Sequence, residues 1–206
     1  MRLGILVSGR GSNLEAVLDA VADGRLPTVQ PALVIANRPG IRALEVAARR
    51  GVPWRLLTST DFPSAEARDA AIGAALDGAR CELALLAGYD RVLRSSYFGT
   101  FTGRTINIHP SLLPRHGGRG MTGMAVHAAV LAAGDAETGV TIHDVTPALD
   151  GGPVIAQVRL PVRPGESAPE LAERVLAVEH STLVEVISHL SGSMTAASPA
   201  PIRARP

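Results

Sequence analysis

The stretch Thr105-Ile106-Asn107-Ile108-His109-Pro110-Ser111-Leu112-Leu113-Pro114 predicts both a strand and the place of the chemistry. Its first five residues alternate, so that the isoleucines lie on one face of the strand and Asn107 and His109 on the other. Pro110 ends the strand because it has no N–H to donate. An amide and an imidazole therefore project the same way at the C-terminal end of a strand, where open α/β sheets bind ligands. The alternative is a buried Asn and His that are satisfied by backbone groups.

Strand-like and helix-like segments alternate along the rest of the chain, which is typical of a mostly parallel sheet with right-handed crossovers. Strands are predicted at Arg2–Val7 and at about 30–36, 52–57, 83–87, 105–109, 138–145 and 154–160. Helices are predicted from about 12 and at 41–50, 64–76, 124–133 and 169–190. We therefore expect a single α/β domain over 1–190, with a Rossmann-like, mostly parallel twisted sheet flanked by helices. Residues 191–206 lose periodicity and are rich in Ser, Ala and Pro, which predicts a disordered C-terminal tail.

Composition excludes several classes of protein. A chain of 206 residues with 46% apolar content is long enough for one well-buried core. The basic residues are all arginine and are scattered, the net charge is +1 and aromatics make up 3%, which argues against nucleic-acid binding. There is no membrane-length apolar run and no signal peptide, and Cys81 is the only cysteine. We expect a cytoplasmic protein without nucleic-acid or membrane partners.

A glycine-rich turn, Ser8-Gly9-Arg10-Gly11-Ser12-Asn13, lies between the first strand and the first helix. Ser12 and Glu15 have the spacing of a capping box, which would need no ligand. The backbone N–H groups of Gly11, Ser12 and Asn13 could instead form a seat for a phosphate, and both can hold together. The turn lacks the Lys of a P-loop and the third glycine of a dinucleotide fingerprint.

Two carboxylates stand out by their context. Asp150 lies in a Leu-Asp-Gly-Gly-Pro turn, where an Asp usually caps its own backbone. Glu179 falls inside the apolar stripe of the last predicted helix, where a carboxylate is costly unless it is paired or hydrated. We therefore expect Glu179 to face a partner or a pocket. The stripe is formed by Ala172, Leu176, Leu183, Ile187 and Leu190.

Asn107, His109 and Asp150 together supply the groups that acyl transfer near neutral pH requires. They are a donor for an oxyanion, a proton shuttle, and a carboxylate that orients the shuttle and favours its charged form. The sequence has no Gly-x-Ser-x-Gly elbow, which disfavours a covalent hydrolase. A metal site on His109, His143 and Asp150 is disfavoured because no tight ligand spacing supports it, and we expect no metal.

The successive motifs resemble those of the folate-dependent phosphoribosylglycinamide (GAR) formyltransferases of purine synthesis, in order from Met1 to about residue 190. The motifs are Ser8-Gly-Arg-Gly-Ser-Asn13, Leu86-Ala-Gly-Tyr89, Arg91-Val-Leu93, Asn107-Ile-His-Pro-Ser-Leu-Leu-Pro114, Gly139-Val-Thr-Ile-His143 and Leu149-Asp-Gly-Gly-Pro153. The resemblance implies the formyltransferase fold and 10-formyltetrahydrofolate as cosubstrate. It also implies direct attack of the GAR amine on the formyl carbon, without a covalent enzyme intermediate.

The resemblance also implies roles for single residues. Asn107 would bind the oxyanion, His109 would stabilise it and move the proton, and Asp150 would hold His109 and an ordered water. GAR would be bound by Gly11, Ser12, Asn13 and Glu179, with Glu179 on the ribose. The folate pocket would be lined by Asp90, Arg91, Val92, Leu93, Asn107, Thr146, Pro147, Ala148, Leu149 and Asp150.

The chain departs from the family pattern at three places. Ala65 stands where relatives often have a folate-contacting Arg, for which Arg68 is a possible substitute. Asp90 replaces a common Met, and the glycine-rich loop 117–123 is a few residues longer than usual, so that no role is assigned to its residues.

The nearest rival function is a hydrolase that releases formate from 10-formyltetrahydrofolate. Hydrolases of that kind carry an extra N-terminal domain, and formyltransferases acting on initiator tRNA carry an extra C-terminal one; we expect neither here. A catalytically silent binding module is disfavoured by the intact Asn107, His109 and Asp150. The sequence allows a monomer or a homodimer.

Overall fold

The computed structural model describes residues 1–193. The strands are β1 (Arg2–Val7), β2 (Gln30–Ala36), β3 (Trp54–Leu56), β4 (Leu83–Leu86), β5 (Arg104–His109), β6 (Glu137–Asp144) and β7 (Val154–Pro161). The helices are α1 (Ser12–Ala22), α2 (Arg42–Arg49), α3 (Ala65–Gly78), α4 (Ser95–Phe98), α5 (Met124–Ala132) and α6 (Ala168–Ser193). The strands form one seven-stranded sheet in the order β3-β2-β1-β4-β5-β6-β7, which confirms the predicted α/β class. The chain divides into two compact units, an N-terminal unit, Met1–Ile106, and a C-terminal unit that begins at Asn107.

In the N-terminal unit, β1 pairs in parallel with β2 and with β4, and β2 pairs in parallel with β3. A central parallel strand is covered on both faces, so that its sequence is a nearly continuous apolar run rather than an alternating one. This is the pattern of β4, Leu83–Leu86, in which every residue is buried. The core of this unit includes Leu3, Ile5, Leu6, Leu14, Ile35, Ile72, Leu76 and Leu85, which are all fully buried.

In the C-terminal unit, β6 and β7 form an antiparallel pair whose register shifts between Ile142 and His143. Helix α6 packs on β6, β7 and α5. Buried residues recur along α6 every three to four positions, as on the buried face of an amphipathic helix. The buried positions are Leu171, Val175, Glu179, Thr182, Leu183, Val184, Val186, Ile187, Leu190 and Ser191.

Helix α6 differs from its prediction at both ends. The predicted stripe began at Ala172 and Leu176, which are only half-buried, because the buried face runs back from Glu179 in steps of four to Leu171. The helix continues past the predicted end near 190 to Ser193, the last described residue. Residues 194–206 of the predicted tail lie outside the described residues.

Across residues 1–193, no helix combines the length and apolarity needed to cross a membrane.

The predicted capping box at the start of α1 is wrong. The N-cap is Gly11, with a φ of 77°, and glycine has no side chain that could accept a hydrogen bond. A Cβ at Gly11 would lie 2.7 Å from the Cβ of Ala43, so the close approach of α2 requires glycine here. Ser12 is therefore the first helical residue, one position too late to be the cap. The Glu15 carboxylate accepts a hydrogen bond from Arg42 of α2 at 2.6 Å.

Candidate active site

Asn107 and His109 lie at the C-terminal end of β5, as the alternation of the strand predicts. The side chains of Ile106 and Ile108 are buried on the other face of the strand. Asn107 is half-buried and His109 is buried. The strand thus presents an amide and an imidazole side by side in a largely water-excluded setting.

A backbone hydrogen bond fixes the tautomer of His109. Its Nε2 lies 2.9 Å from the carbonyl oxygen of His116. Because a carbonyl can only accept, the proton is on Nε2 and Nδ1 carries the lone pair of the neutral ring. Nδ1 is consequently the atom that can accept a proton.

Burial lowers the pKa of His109 below its ordinary value, against the smaller raising effects of the hydrogen bond to His116 and of the Asp150 charge. The sequence predicted that Asp150 would favour the charged imidazolium. The carboxylate does act in that direction, but desolvation of the ring outweighs it, so that the pKa stays below its ordinary value. The neutral ring, which is competent as a base, is the prevailing form at neutral pH.

The neighbouring His143 orients Asn107. The Nδ1–H of His143 donates to the carbonyl of Asp144 at 2.9 Å. Nε2 is then left as an acceptor, and the Nδ2–H of Asn107 donates to it at 3.1 Å. The rotation of the amide is thereby set, and its second N–H points away from the imidazole.

Asp150 is held in place by the glycine-rich loop. Its backbone is left-handed, with a φ of 51°. One carboxylate oxygen accepts the backbone N–H of Gly118 at 2.7 Å, and the other lies 3.8 Å from Nε2 of His143. The expectation that Asp150 holds His109 is thus modified, because its influence on His109 is electrostatic. Loop 117–123, to which the sequence assigned no role, supplies the N–H that orients the carboxylate.

In the N-terminal unit, two predicted binding segments come together. The backbone N–H of Asp90 donates to the hydroxyl of Ser8 at 3.0 Å, which joins the loop after β4 to the glycine-rich turn. Asn13, at the start of α1, is buried, and its Oδ1 has no hydrogen-bond partner among residues 1–193. A helix N-terminus is suited to an anion, whereas the free amide oxygen of Asn13 is suited to a hydrogen-bond donor of a polar ligand.

Comparison with known proteins identifies the family of this site. Residues 1–187 match the family described as Formyl transferase. The chain belongs to the formyl transferase family. It is 37% identical over 188 residues to the phosphoribosylglycinamide formyltransferase of Escherichia coli, covering 91% of this chain and 86% of that protein. It is also 39% identical over 180 residues to the trifunctional purine biosynthetic protein adenosine-3 of Drosophila pseudoobscura, where it covers 87% of this chain but spans only 13% of the relative.

Solved structures of the family have the same fold. Glycinamide ribonucleotide transformylase 1 from Symbiobacterium toebii matches with a TM-score of 0.87 at 37% identity, covering 94% of this chain and 88% of that one. The corresponding protein from Geobacillus kaustophilus matches with a TM-score of 0.85 at 39% identity, covering 93% and 98%.

The departures from the family pattern can now be located. Arg68 is buried, and its Nε and Nη2 donate to the fully buried carboxylate of Asp69 at 3.1 and 2.7 Å. This internal ion pair occupies the guanidinium that would replace the folate contact absent at Ala65. The Asp90 carboxylate accepts a hydrogen bond from Asn37 at 2.8 Å and forms an ion pair with Arg38.

The other predicted folate residues divide by exposure. Val92 is 46% exposed and Leu149 is 45% exposed, which is high for such large apolar side chains. Leu93 is buried, whereas Arg91, Pro147 and Ala148 are exposed and Thr146 is half-buried, its hydroxyl donating to the carbonyl of Ala148 at 3.3 Å. Within each unit, an exposed large apolar side chain of this kind is consistent with contact to an apolar ligand.

Glu179 is 8% exposed in the middle of α6, as its place in the stripe predicts.

Within residues 1–193, no group of three or more His, Cys, Asp and Glu side chains could hold a metal ion. Among these described residues, the set His109, His143 and Asp150 does not form such a group.

Sequence reasoning missed two histidines of the site, His116 and His127. His116 supplies the carbonyl that binds His109, which no side-chain pattern can reveal. His127 is buried in α5, and burial, followed by the charge of His109, lowers its pKa. Its Nδ1 has no hydrogen-bond partner within the described part of the chain. Its helical spacing to Val130 places it on the buried side of α5 and is the signal that could have found it.

Proposed function

We propose that this chain transfers the formyl group of 10-formyltetrahydrofolate to the amine of GAR, giving formyl-GAR and tetrahydrofolate. The observation that carries the proposal is the pair Asn107 and His109 at the end of β5, with the orientation of one set by His143 and the tautomer of the other by His116. The similarity to the Escherichia coli relative, which is named a phosphoribosylglycinamide formyltransferase, supports it.

In the proposed reaction, the GAR amine attacks the formyl carbon and a C–N bond forms, while the carbonyl becomes an oxyanion. The second N–H of Asn107 donates to that oxyanion, which is the kind of fixed donor that stabilises a tetrahedral intermediate. His109 takes the proton of the amine on Nδ1 and returns it to N10 of the folate, as the bond between N10 and the formyl carbon breaks. The folate leaves as tetrahydrofolate, and no covalent enzyme intermediate is needed.

The negative charge of Asp150 would assist the proton transfer by His109. When His109 carries the proton, the nearby carboxylate stabilises the imidazolium, which is why its effect on the His109 pKa is to raise it. We also assign to Asp150 the ordered water that the family resemblance implies. Its anchor on Gly118 keeps the carboxylate in position during this step.

GAR binding is assigned to the glycine-rich turn and to α6. The N–H groups of Gly11, Ser12 and Asn13 at the start of α1 would bind the phosphate, aided by the helix dipole. The buried Oδ1 of Asn13, which has no partner within residues 1–193, would accept a hydrogen bond from a donor group of GAR at this turn. Glu179 would accept hydrogen bonds from the ribose hydroxyls.

We assign the binding of the folate cosubstrate to the remaining predicted residues. The exposed apolar side chains of Val92 and Leu149 would pack against it, with the backbone of their segments binding its polar groups. The Asp90 carboxylate already has protein partners, so its contribution would be to hold its loop. The assigned set is Asp90, Arg91, Val92, Leu93, Asn107, Thr146, Pro147, Ala148, Leu149 and Asp150. The enzyme would need no metal.

The test is the release of tetrahydrofolate from 10-formyltetrahydrofolate by the purified protein, with and without GAR, together with the mass of the product. Release that depends on GAR, with a product heavier by one formyl group, is the expected result. Release without GAR would identify a hydrolase instead, and absence of release under both conditions would contradict the proposal. His109→Ala is the matched control for contaminating activity.

We further propose that the enzyme is cytoplasmic and acts as a monomer or a homodimer. Light scattering after size-exclusion chromatography distinguishes the two assemblies. Cell fractionation tests the compartment.

A further inference from the structure

Asp135 lies in the turn that follows α5, outside every motif assigned above. Gly134, with a φ of 65°, ends the helix, and the N–H of Asp135 donates back to the carbonyl of Val130 at 3.3 Å. The Asp135 side chain is 8% exposed. One of its oxygens accepts a hydrogen bond from Nε2 of His116 at 2.7 Å, and the other forms an ion pair with Arg115.

The residue that Asp135 holds is the one whose carbonyl binds His109. His116 has a left-handed backbone, with a φ of 53°, which is uncommon for a residue with a side chain. This conformation costs free energy and persists only where the surroundings enforce it. The hydrogen bond from the His116 ring to Asp135 is one such restraint. A second lies just before it, where the carbonyl of Arg115 accepts the hydroxyl of the fully buried Ser111 at 2.7 Å.

We propose that Asp135 is a positioning residue for His109, acting through the ring and the carbonyl of His116; this rests on the formyl-transfer function proposed above. Asp135 fixes the His116 ring, the restrained backbone aims the His116 carbonyl, and that carbonyl keeps the His109 proton on Nε2. Nδ1 is thereby reserved for the proton that moves in the reaction.

The carboxylate is suited to this role at neutral pH. The hydrogen bond from His116, helped by the charge of Arg115, keeps the pKa of Asp135 below its ordinary value. Asp135 is therefore ionised, and both of its oxygens accept hydrogen bonds. Without it, the His116 carbonyl can turn away, and the neutral His109 ring can move its proton to Nδ1 or rotate.

A matched control lies two residues further along the chain. Glu137 forms an ion pair with Arg159 at 2.9 Å, across the β6 and β7 strands. This pair and Asp135 line the same groove, which has a volume of about 370 Å³. Glu137→Gln therefore removes a carboxylate–arginine pair of the same kind from the same region, without touching His116.

The first experiment is steady-state kinetics on Asp135→Ala, Asp135→Asn and Glu137→Gln. Asp135→Ala should lower kcat by about 10-fold, because displacement of a reacting group by ~1 Å can cost up to ~10²-fold, while the KM for both substrates changes little. Asp135→Asn should lie between Asp135→Ala and wild type, since its amide oxygen can still accept one hydrogen bond. If Asp135→Ala does not fold, Asp135→Asn carries the test. Equal kcat values for the Asp135 and Glu137 variants would overturn the proposal.

Substitutions at His116 separate positioning from backbone strain. Glycine accepts a positive φ without strain, so His116→Gly should melt no lower than His116→Ala. It nevertheless removes the ring that Asp135 holds, and kcat should fall as far as in His116→Ala. His116→Gln, whose amide nitrogen can replace Nε2 as the donor to Asp135, should recover part of kcat. A His116→Gly variant with wild-type kcat would overturn the proposal.

The final readout does not depend on activity. In ¹⁵N-labelled protein without substrates, the imidazole nitrogens of His109 should show the Nε2–H tautomer in wild type and in Glu137→Gln. In Asp135→Ala the two nitrogen shifts should move toward each other, as the second tautomer becomes populated. Unchanged His109 shifts in Asp135→Ala would overturn the positioning role. Absence of GAR-dependent transfer by the wild type would instead count against the proposed function and leave this tautomer comparison valid.

Discussion

Asn107 and His143 form a hydrogen bond with a defined direction, in which the amide Nδ2–H donates to the imidazole Nε2 over 3.1 Å. The direction is defined because the Nδ1–H of His143 donates to the carbonyl of Asp144, which leaves Nε2 to accept from Asn107. The amide of Asn107 consequently cannot flip without placing its oxygen against the lone pair of Nε2. The hydrogen bond to His143 thus determines which atoms Asn107 offers to a substrate.

Removal of the His143 ring should therefore impair catalysis through Asn107. His143→Ala should lower kcat roughly 10-fold, with the fold intact, because the amide loses the acceptor that sets its rotation. His143→Gln should restore part of the activity, since its amide oxygen can accept from Asn107 in place of Nε2. Steady-state kinetics with both substrates are the measurement. A kcat of His143→Ala equal to that of wild type would show that Asn107 is oriented in another way.

His109 itself should be essential for turnover but not for binding of GAR. His109→Ala should reduce kcat by ~10²–10⁴-fold, the range for loss of a general acid–base group. Calorimetric titration of GAR into the same variant should give an affinity close to that of wild type. Near-normal turnover in the purified variant would remove His109 from the mechanism.

Replacement of Asp150 should shift the pH dependence of the reaction toward acid. The Asp150 charge raises the pKa of His109, so Asp150→Asn should lower that pKa further and move the acid limb of the kcat profile to lower pH. Turnover should also fall, because the imidazolium formed during the reaction loses its counter-charge. The amide keeps the size of the side chain and can still accept the N–H of Gly118. Superimposable pH–rate profiles of the two proteins would show that the coupling is absent.

Stability should decrease as the pH falls below the ordinary histidine pKa of 6.5, because burial lowers the pKa of both His109 and His127. The unfolded chain then binds more protons than the folded one between the lowered pKa values and 6.5, so protonation favours unfolding in that window. The melting temperature should fall from about pH 7 to about pH 5, and by less in His127→Gln, which has one buried imidazole fewer. Identical pH dependence in the two proteins would exclude a contribution from His127.

The sequence predicts most of the fold because local patterns determine it. The bounds of β1 and β2 agree with those predicted, since apolar runs between glycine-rich and polar turns are unambiguous. The spacing of Ser12 and Glu15 fits a capping box and predicts the wrong N-cap for α1. The deciding contact is instead tertiary, between Gly11 and Ala43, and no local pattern contains it.

The same limit applies to the candidate site. Asn107 and His109 could be predicted because the period of a strand puts them on one face. The restraint of His109 by the carbonyl of His116 could not, since backbone groups carry no sequence signal. The net effect on the His109 pKa also depends on how deeply the ring is buried, which motifs do not report.

Glu179 offers a test in which two readings of one buried carboxylate give opposite results. If Glu179 binds the GAR ribose, Glu179→Gln should weaken the binding of GAR by roughly 1–3 kcal/mol, because an amide is a poorer acceptor for hydroxyl groups than a carboxylate. The binding of the folate should weaken far less. If its role is to stabilise α6 from within, the variant should melt at a lower temperature and bind GAR normally. Calorimetric titration of both substrates and thermal unfolding without ligand distinguish these cases.

The control for that test is Glu173→Gln, which makes the same chemical change at an exposed position of α6. It should alter neither the GAR affinity nor the melting temperature, since surface carboxylates contribute little to either. A loss of GAR affinity in Glu179→Gln alone, with melting temperatures that agree among the three proteins, would assign Glu179 to the ribose. Unaltered affinity with a large drop in the melting temperature of Glu179→Gln would assign it to the stability of the helix.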